Sequence, residues 1–562
     1  MTGSARQRRH GQAHEPGARH TPRAEEPGAR QWTVRDAVID FARRVGMTSI
    51  FANPGSTELP MFRDFPADFR YVLGLQEAVV VGMADGYAQT TGNAALINLH
   101  SAAGVGNAMG NIFTAFRNRT PLVVTAGQQA RSILPFDPFL AATQATELPK
   151  PYVKWSIEPA RAQDVPLAIA RAYAIAMQEP RGPVFVSIPA DDWDQPAERV
   201  AEREVAHVMR ADPAMLARIG AVLDACERPA FVVGGAVDRA GAAADVVQLA
   251  ERHRARVYVA PMTARCSFPE QHRLFAGFLP ALRERIVELL DGHDAIFVIG
   301  APAFTYHVEG SGPHVPPGAQ LCQLIDDPGV AAWTPQGIAA AGNVRLGVQE
   351  LLARAAPRAR ELPAPRALPP RALPPAAGER MSAAFALQTL AEVRDPDGVI
   401  VEEAPSSRPV MQTYLPIPRA GAFLTMDSGG LGYAMPAAVG VALARPGERV
   451  IALIGDGSSM YSIQAIWSAV QLRLPITFVI LNNTRYAALQ DFAPVFGFAP
   501  HETVQGTDLM GLDFVTLAAG MGCPGVRVSD AARLGDTLRT ALPVDAADSA
   551  QRGPTLVEVI IA

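Results

Sequence analysis

The stretch Val450-Ile-Ala-Leu-Ile-Gly455-Asp456-Gly457-Ser458, followed after a helix-length interval by Ile476-Thr-Phe-Val-Ile-Leu481-Asn482-Asn483, decides the reading of this chain. Val450 to Ile454 and Ile476 to Leu481 are short apolar runs without polar alternation, the pattern of strands buried on both faces. Between them Ile463, Ile466, Trp467 and Val470 recur at helical spacing, so a helix is predicted there, stopped by Pro475. Strand, helix, strand is a crossover unit, and its two strands are expected to be neighbours. Asp456 and Asn483 then stand side by side at the edge where open parallel sheets take their ligands. A carboxylate and an amide oxygen suit a hard cation such as magnesium, and the backbone amides around Gly455 and Gly457 suit a diphosphate. Gly-Asp-Gly and Asn-Asn also make ordinary turns; the spacing across a whole crossover is what argues for a site.

Outward from this unit, 562 residues correspond to about three domains, and 49% hydrophobic with 19% charged residues is the composition of a packed globular protein. Fifty basic against 55 acidic residues leave a net charge of -5, so no general basic field is available to hold nucleic acid or an anionic membrane. Lys150 and Lys154 are the only lysines, a compositional bias without functional meaning. Cys226, Cys266, Cys322 and Cys523 are too scattered for zinc or a disulfide framework, and a reducing cytoplasm is the expected setting. No run approaches 18 apolar residues, and no apolar segment follows Arg8-Arg9 to serve as an export signal.

Residues 1–31, rich in Arg, Gly, Pro and His, read as a disordered tail. Residues 355–380 contain Arg-Ala-Leu-Pro-Pro twice in tandem, at 366–370 and 371–375, and read as an extended linker. Three blocks remain, at 32–195, 196–354 and 381–562. Each alternates short apolar runs with amphipathic stretches, which predicts three doubly wound parallel α/β domains. In the first block the runs end at Ala52, Leu75, Leu99 and Ala126; in the middle one they include Phe231 to Val233, Val257 to Ala260 and Ala295 to Ile299.

Ser56, Glu77 and His100 follow three of these strand ends, and a parallel sheet could bring them to one rim. Glu77 lies just past the predicted strand Tyr71 to Leu75 and precedes Ala78-Val-Val-Val81, surroundings in which burial would raise its pKa. The plainer role for it is a helix N-terminal carboxylate favoured by the helix dipole. His307 follows the strand Ala295 to Ile299, and histidine suits proton transfer near neutrality.

The Gly-Asp-Gly to Asn-Asn unit resembles the cofactor motif of the thiamine-diphosphate-dependent 2-oxo-acid decarboxylases, and the resemblance extends from about Trp32 to Ala562. It is close to the benzoylformate decarboxylases in particular, through Asn53-Pro-Gly-Ser56, Leu75-Gln-Glu77-Ala, Asn98-Leu-His100-Ser-Ala-Ala-Gly104, Thr125-Ala-Gly-Gln-Gln129 and Gly429-Gly-Leu431-Gly432. The resemblance implies a domain for the aminopyrimidine end of the cofactor, a central domain, and a domain for its diphosphate and Mg2+. It implies that Glu77 exchanges a proton with the aminopyrimidine, that Ser56 binds the substrate carboxylate, and that His100 and His307 move protons. Leu431 is implied as the wedge that bends the cofactor, with Gly455, Gly457, Ser458, Ser406 and Tyr486 at the cofactor. Asp456, Asn483 and the carbonyl of Arg485 are implied as metal ligands. Ser406 is a weaker match, because Glu403-Ala-Pro405-Ser-Ser departs from a hydroxyl-rich family stretch. Ala488, Leu489, Phe492 and Thr425 fall on the substrate pocket, where Thr425 stands for a phenylalanine and Asp491 for a tryptophan.

The activity implied is non-oxidative decarboxylation of an aryl 2-oxo acid, benzoylformate to benzaldehyde and carbon dioxide, through an enamine of the cofactor, as in a mandelate pathway. A cytoplasmic homodimer or homotetramer with shared sites is implied as well. An acetolactate-synthase-like carboligase is the alternative; the histidine pair argues against it. Oxalyl-coenzyme A decarboxylase and flavin-dependent oxidase activities rank lower, with no clear flavin signature in the middle block. A catalytically silent cofactor-binding scaffold is the reading of a different class.

Overall fold

The computed structural model describes residues 31–500, 502–543 and 553–562, so the expected tail lies outside the described residues except for Gln31. The apolar runs become three six-stranded parallel sheets. The first holds β1 (Ser49–Ala52), β2 (Arg70–Leu73), β3 (Ala95–Leu99), β4 (Leu122–Gln128), β5 (Ser156–Ile157) and β6 (Val184–Pro189), in the order β2-β1-β3-β4-β6-β5. The second holds β7 (Pro229–Val233), β8 (Arg256–Val259), β9 (Phe275–Phe278), β10 (Ala295–Ile299), β11 (Gln320–Ile325) and β12 (Ile338–Ala341), in the order β12-β11-β10-β7-β8-β9. The third holds β13 (Ile400–Glu403), β14 (Phe423–Leu424), β15 (Val450–Gly455), β16 (Ile476–Asn482), β17 (Gly525–Val528) and β18 (Thr555–Ile560), in the order β14-β13-β15-β16-β18-β17. The first and third sheets therefore share one strand order. Their central strands are buried along their length, which is why they read as continuous apolar runs.

Two expectations change at the ends of elements. The strand before Glu77 stops at Leu73, and Gly74 and Leu75 belong to the turn that follows. The helix expected between β15 and β16 is broken into Asp456–Ser459 and Ala465–Gln471, leaving Ile463 outside it. Gly457, Ser458 and Ser459 are weak helix formers, and the Ser459 hydroxyl donates to the Asp456 carbonyl at 2.6 Å, competing with the helical ladder. The second piece ends before Pro475 is reached, with Arg473 turning the chain at φ 51°.

Residues 355–376 carry no helix or strand, yet they are fastened to the middle domain. Arg360, only 8% exposed, donates to the carbonyls of Cys226 at 3.0 Å and His253 at 3.3 Å, and also to that of Leu223. Arg256 reaches the Ala364 carbonyl at 3.1 Å, and Arg366 lies 4.9 Å over the Phe275 ring. Hydrogen bonds to a charged group contribute about 1.5–3 kcal/mol each, enough to offset much of the entropy of ordering an extended strap.

The first and third domains share one hydrophobic core, in which Val79, Met83 and Val105 meet Met435, Val439 and Ile480. The helix Glu77–Thr91 packs along the helix Ala434–Ala444, and their N-terminal ends lie together. Glu77 and Leu431 lie at these two ends. Among the described residues no helix is long and apolar enough to cross a membrane, and all four cysteines are buried and free.

Candidate active site

Because β2, β1 and β3 are adjacent, the turns that leave them form one rim. Glu77 opens the helix after β2, Ser56 opens a short 3-10 turn after β1, and His100 is the N-cap residue of the helix Ser101–Arg117 after β3. Ser56 is exposed. Glu77 accepts from Asn107 Nδ2 at 3.1 Å and is half-buried, not enclosed as its apolar neighbours suggested. Val79, Val80 and Val81 turn into the core, whereas the first residue of the helix stays at the rim.

The rim contains a residue that the sequence reading missed. Glu58 has no exposed side-chain surface, and its Oε2 lies 2.9 Å from His100 Nδ1. The same carboxylate accepts from the backbone N–H of Gly55 at 2.8 Å and of Gly127 at 2.9 Å, and from the Thr57 hydroxyl at 2.6 Å. A carboxylate so placed only accepts, so Nδ1 donates. The signal was present as the Gly55-to-Glu58 spacing, which places a glutamate three residues past a turn start as in a capping box. Glu58→Gln keeps the shape but removes the charge. It is expected to lower kcat by about tenfold to a hundredfold with KM changed less than about twofold, and Glu58→Asp to recover part of the loss. Parental kcat in Glu58→Gln would leave Glu58 a purely structural residue.

At the edge of the third sheet, Gly455 is in register with Leu481, which places Asp456 and Asn483 beyond neighbouring strand ends. Both are buried, and Asp456 Oδ2 and Asn483 Oδ1 converge on the Arg485 N–H at 3.3 and 3.2 Å. Burial raises the Asp456 carboxyl above its usual range, while the N–H groups of Gly457, Thr484, Arg485 and Asn483 lower it. No side-chain cation compensates this carboxylate among the described ion pairs, so it fits a bound metal ion. No group of three or more His, Cys, Asp or Glu is arranged for a metal among the described residues. One carboxylate, one amide oxygen and a carbonyl suit magnesium, which takes phosphate and water for the rest. A Cβ on Gly457 would lie 2.2 Å from the Tyr486 ring, so that ring can close over the turn only at glycine. Ser458 is buried beside Asp456, and the Ser406 hydroxyl accepts from the Ala488 N–H at 2.9 Å.

His307 of the middle domain is exposed, and its ring lies on Phe492 of the third, with centroids 4.6 Å apart at 32°. Two residues assigned by resemblance to different domains are thus in contact within one chain. Ala488 and Leu489 share the helix Ala487–Phe492 with Phe492, Leu489 being 55% exposed. Thr425 is not an open wall residue: it is 1% exposed, donates to the Glu402 carbonyl at 2.7 Å and accepts from Arg408 at 2.6 Å. Arg408 in turn pairs with Glu402 at 2.7 Å. Leu431 is partly buried against the shared core.

Comparison with known proteins meets this geometry. Residues 32–147 match the N-terminal TPP binding domain of the thiamine pyrophosphate enzymes, residues 216–351 their central domain, and residues 406–559 their C-terminal TPP binding domain. The three-domain fold is that of a thiamine diphosphate enzyme. A benzoylformate decarboxylase from Pseudomonas aeruginosa is 44% identical over 531 residues, covering 94% of this chain and 98% of that protein. The crystal structure of benzoylformate decarboxylase from Polynucleobacter necessarius superposes with a TM-score of 0.90 at 37% identity, over 94% of this chain and 98% of that one. A 4-hydroxybenzoylformate decarboxylase from Rhodococcus jostii gives 0.88 at 39%, over 94% and 99%. The chain belongs to the thiamine-diphosphate-dependent 2-oxo-acid decarboxylase family.

Proposed function

We propose that the protein decarboxylates an aryl 2-oxo acid without oxidation, releasing an aldehyde and carbon dioxide, with benzoylformate to benzaldehyde as the reaction. The observation that carries this reading is the 44% identity to a benzoylformate decarboxylase over 94% of the chain, with Ser56, Glu77 and His100 together on one rim. When bound, thiamine diphosphate supplies a nucleophilic carbon and a sink for the electron pair released with carbon dioxide. Asp456, Asn483 and the Arg485 carbonyl would hold Mg2+ against its diphosphate, with Gly455, Gly457, Ser458, Ser406 and Tyr486 around them. Glu77 holds and returns a proton at the aminopyrimidine nitrogen. Ser56 orients the substrate carboxylate by its hydroxyl. His100 Nε2, with Nδ1 anchored on Glu58, moves one proton, and His307, held against Phe492, moves another. Ala488, Leu489 and Phe492 line the aryl ring and exclude water.

The active assembly is a homodimer or homotetramer in which the first domain of one subunit faces the third domain of another. Half-exposed Glu77 and the exposed apolar residues Leu75, Phe136, Phe139 and Tyr461 support this, since surfaces of that kind are covered in an assembly. The buried free cysteines are compatible with a reducing cytoplasm.

A panel of 2-oxo acids assayed with thiamine diphosphate and Mg2+ tests the reading. Benzoylformate is expected to release carbon dioxide and benzaldehyde. Carbon–carbon coupling as the main outcome would favour a carboligase, and bound cofactor without turnover on any 2-oxo acid would favour a scaffold. Asp491 stands where the resemblance gives a tryptophan; losing that aromatic contact costs about 1–3 kcal/mol, so preference for benzoylformate over an aliphatic branched acid is expected to be about tenfold weaker than in aryl-specific relatives. Asp491, which is exposed, is a safer position to test than Thr425, whose hydroxyl is committed to Glu402 and Arg408. Asp491→Trp is expected to raise the ratio of the two kcat/KM values; an unchanged ratio would remove Asp491 from the pocket.

A further inference from the structure

The turn that carries Leu431 is held from outside. Gly432 has φ 102°, a backbone conformation that side-chain-bearing residues rarely adopt, and Gly429 has φ 72°. Glu403, at the end of β13 and 1% exposed, reaches this turn: Oε1 accepts from Gly432 N–H at 2.7 Å, and Oε2 from Tyr433 and Ala434 N–H, each at 2.7 Å. The helix Ala434–Ala444 has no side-chain cap of its own, so a glutamate from another element does that work. The neighbouring Glu402 is paired with Arg408, and Glu403 has no ion pair among the described residues. Its charge is met by backbone N–H groups. Burial pushes the carboxyl up to about 7 against the downward pull of those three N–H bonds.

Asn111 grips the same glycine from the first domain. Its Nδ2 donates to the Gly432 carbonyl at 3.2 Å and to the Ala78 carbonyl at 2.6 Å, and the residue is 3% exposed. The two hydrogens of one amide therefore bridge the Leu431 turn and the peptide next to Glu77. On the same helix, the Thr114 hydroxyl meets that of Ser428 at 2.9 Å, tying down the other end of the turn. Neither the wedge residue nor the first turn of the Glu77 helix can shift without breaking a buried hydrogen bond.

We propose that Glu403 and Asn111 are positioning residues that hold the Leu431 turn rigid against the Glu77 helix of the same chain, setting the bend at which thiamine diphosphate is held; in the shared assembly that Glu77 serves the other site, so the bend is set through Leu431 alone. The proposal rests on the thiamine diphosphate reading above. It separates two properties: diphosphate affinity, which belongs to Asp456 and Asn483 on other strands, and the bend, which belongs to this unit.

The experiment uses the full chain with Mg2+ and thiamine diphosphate. Cofactor affinity is measured by quenching of tryptophan fluorescence, and hydrogen–deuterium exchange at the thiazolium carbon by acid-quench NMR. The proteins are the parent, Glu403→Gln, Leu431→Ala and the double variant. Glutamine has one acceptor oxygen and brings an N–H2 donor against N–H groups. Its expected effect is about tenfold or more slower exchange with affinity changed less than about threefold, since displacements of an ångström can cost a hundredfold. In the double variant, exchange should be no slower than in Leu431→Ala alone, because both changes act through one wedge. Parental exchange in a folded Glu403→Gln, or fully multiplicative effects, would overturn the proposal. Should Glu403→Gln fail to fold by thermal unfolding, Asn111→Ala carries the same comparison with Leu431→Ala, and parental exchange there overturns it equally. A parent that binds no thiamine diphosphate would remove the reading beneath the proposal and not this unit's geometry.

Discussion

Asp456→Ala is expected to abolish turnover, by about 10³-fold or more, and stripping Mg2+ and thiamine diphosphate from the parent is expected to do the same reversibly. Asp456 is 4% exposed and is met by backbone N–H groups, among them Gly457 at 2.8 Å and Arg485 at 3.3 Å. Leaving an ionised carboxylate in such a place is costly unless a cation shares it, so its position makes sense as a metal ligand. Asn483 alone offers a neutral oxygen, which cannot hold Mg2+ against competition from water. Alanine should therefore remove metal and diphosphate together, while the β15–β16 register that carries the turn persists through its backbone hydrogen bonds. Thermal unfolding close to that of the apo parent, with no cofactor bound, is the expected accompaniment. Full activity in a preparation shown to lack both Mg2+ and thiamine diphosphate would end the assignment.

Glu77→Gln is expected to slow turnover by about 10²- to 10⁴-fold, the range for removing a proton-transfer group. The loss should appear first in hydrogen exchange at the thiazolium carbon, before any substrate is added. His307→Ala should leave that exchange nearly intact and slow later steps, because its ring contact is with Phe492, on the helix proposed to line the substrate. Equal exchange in Glu77→Gln and the parent would reject the role given to Glu77. The same variant reads the assembly. The hydrogen bond of Glu77, with Asn107, lies within its own domain, and the carboxylate is half-buried at a rim. If a second subunit covers that rim, mixing Glu77→Gln and Asp456→Ala chains under exchange conditions restores activity, since one of the two shared sites in a hybrid carries neither defect. A monomer that is active in sedimentation would contradict the shared site.

Strands buried on both faces were legible because burial leaves its mark residue by residue. Ala295 to Ile299 and Val450 to Ile454 appear as β10 and within β15 almost at the bounds their apolar runs suggest. Helix continuity was less legible. The break at 460–464 depends on a serine hydroxyl choosing a carbonyl over solvent, a competition that apolar spacing does not record. The strap at 355–376 shows the same limit, since Arg360 looks solvated until the carbonyls of the middle domain stand within reach.

By itself, the sequence determined the residues that sit next to a strand end in the chain: Asp456, Asn483, Ser56, Glu77 and His100. Covalent connection carries each of them to the edge of its sheet, and the parallel order of β2, β1 and β3 and of β15 and β16 does the rest. Tertiary structure alone decided the partners of buried polar groups. Glu58 under His100, Glu403 under the Leu431 turn, Asn111 between two domains and Thr425 between Glu402 and Arg408 are all polar residues that a sequence would place at a surface. They are stable inside because backbone N–H and carbonyl groups from distant segments arrive to satisfy them, and that supply exists only once three sheets and their connections have packed.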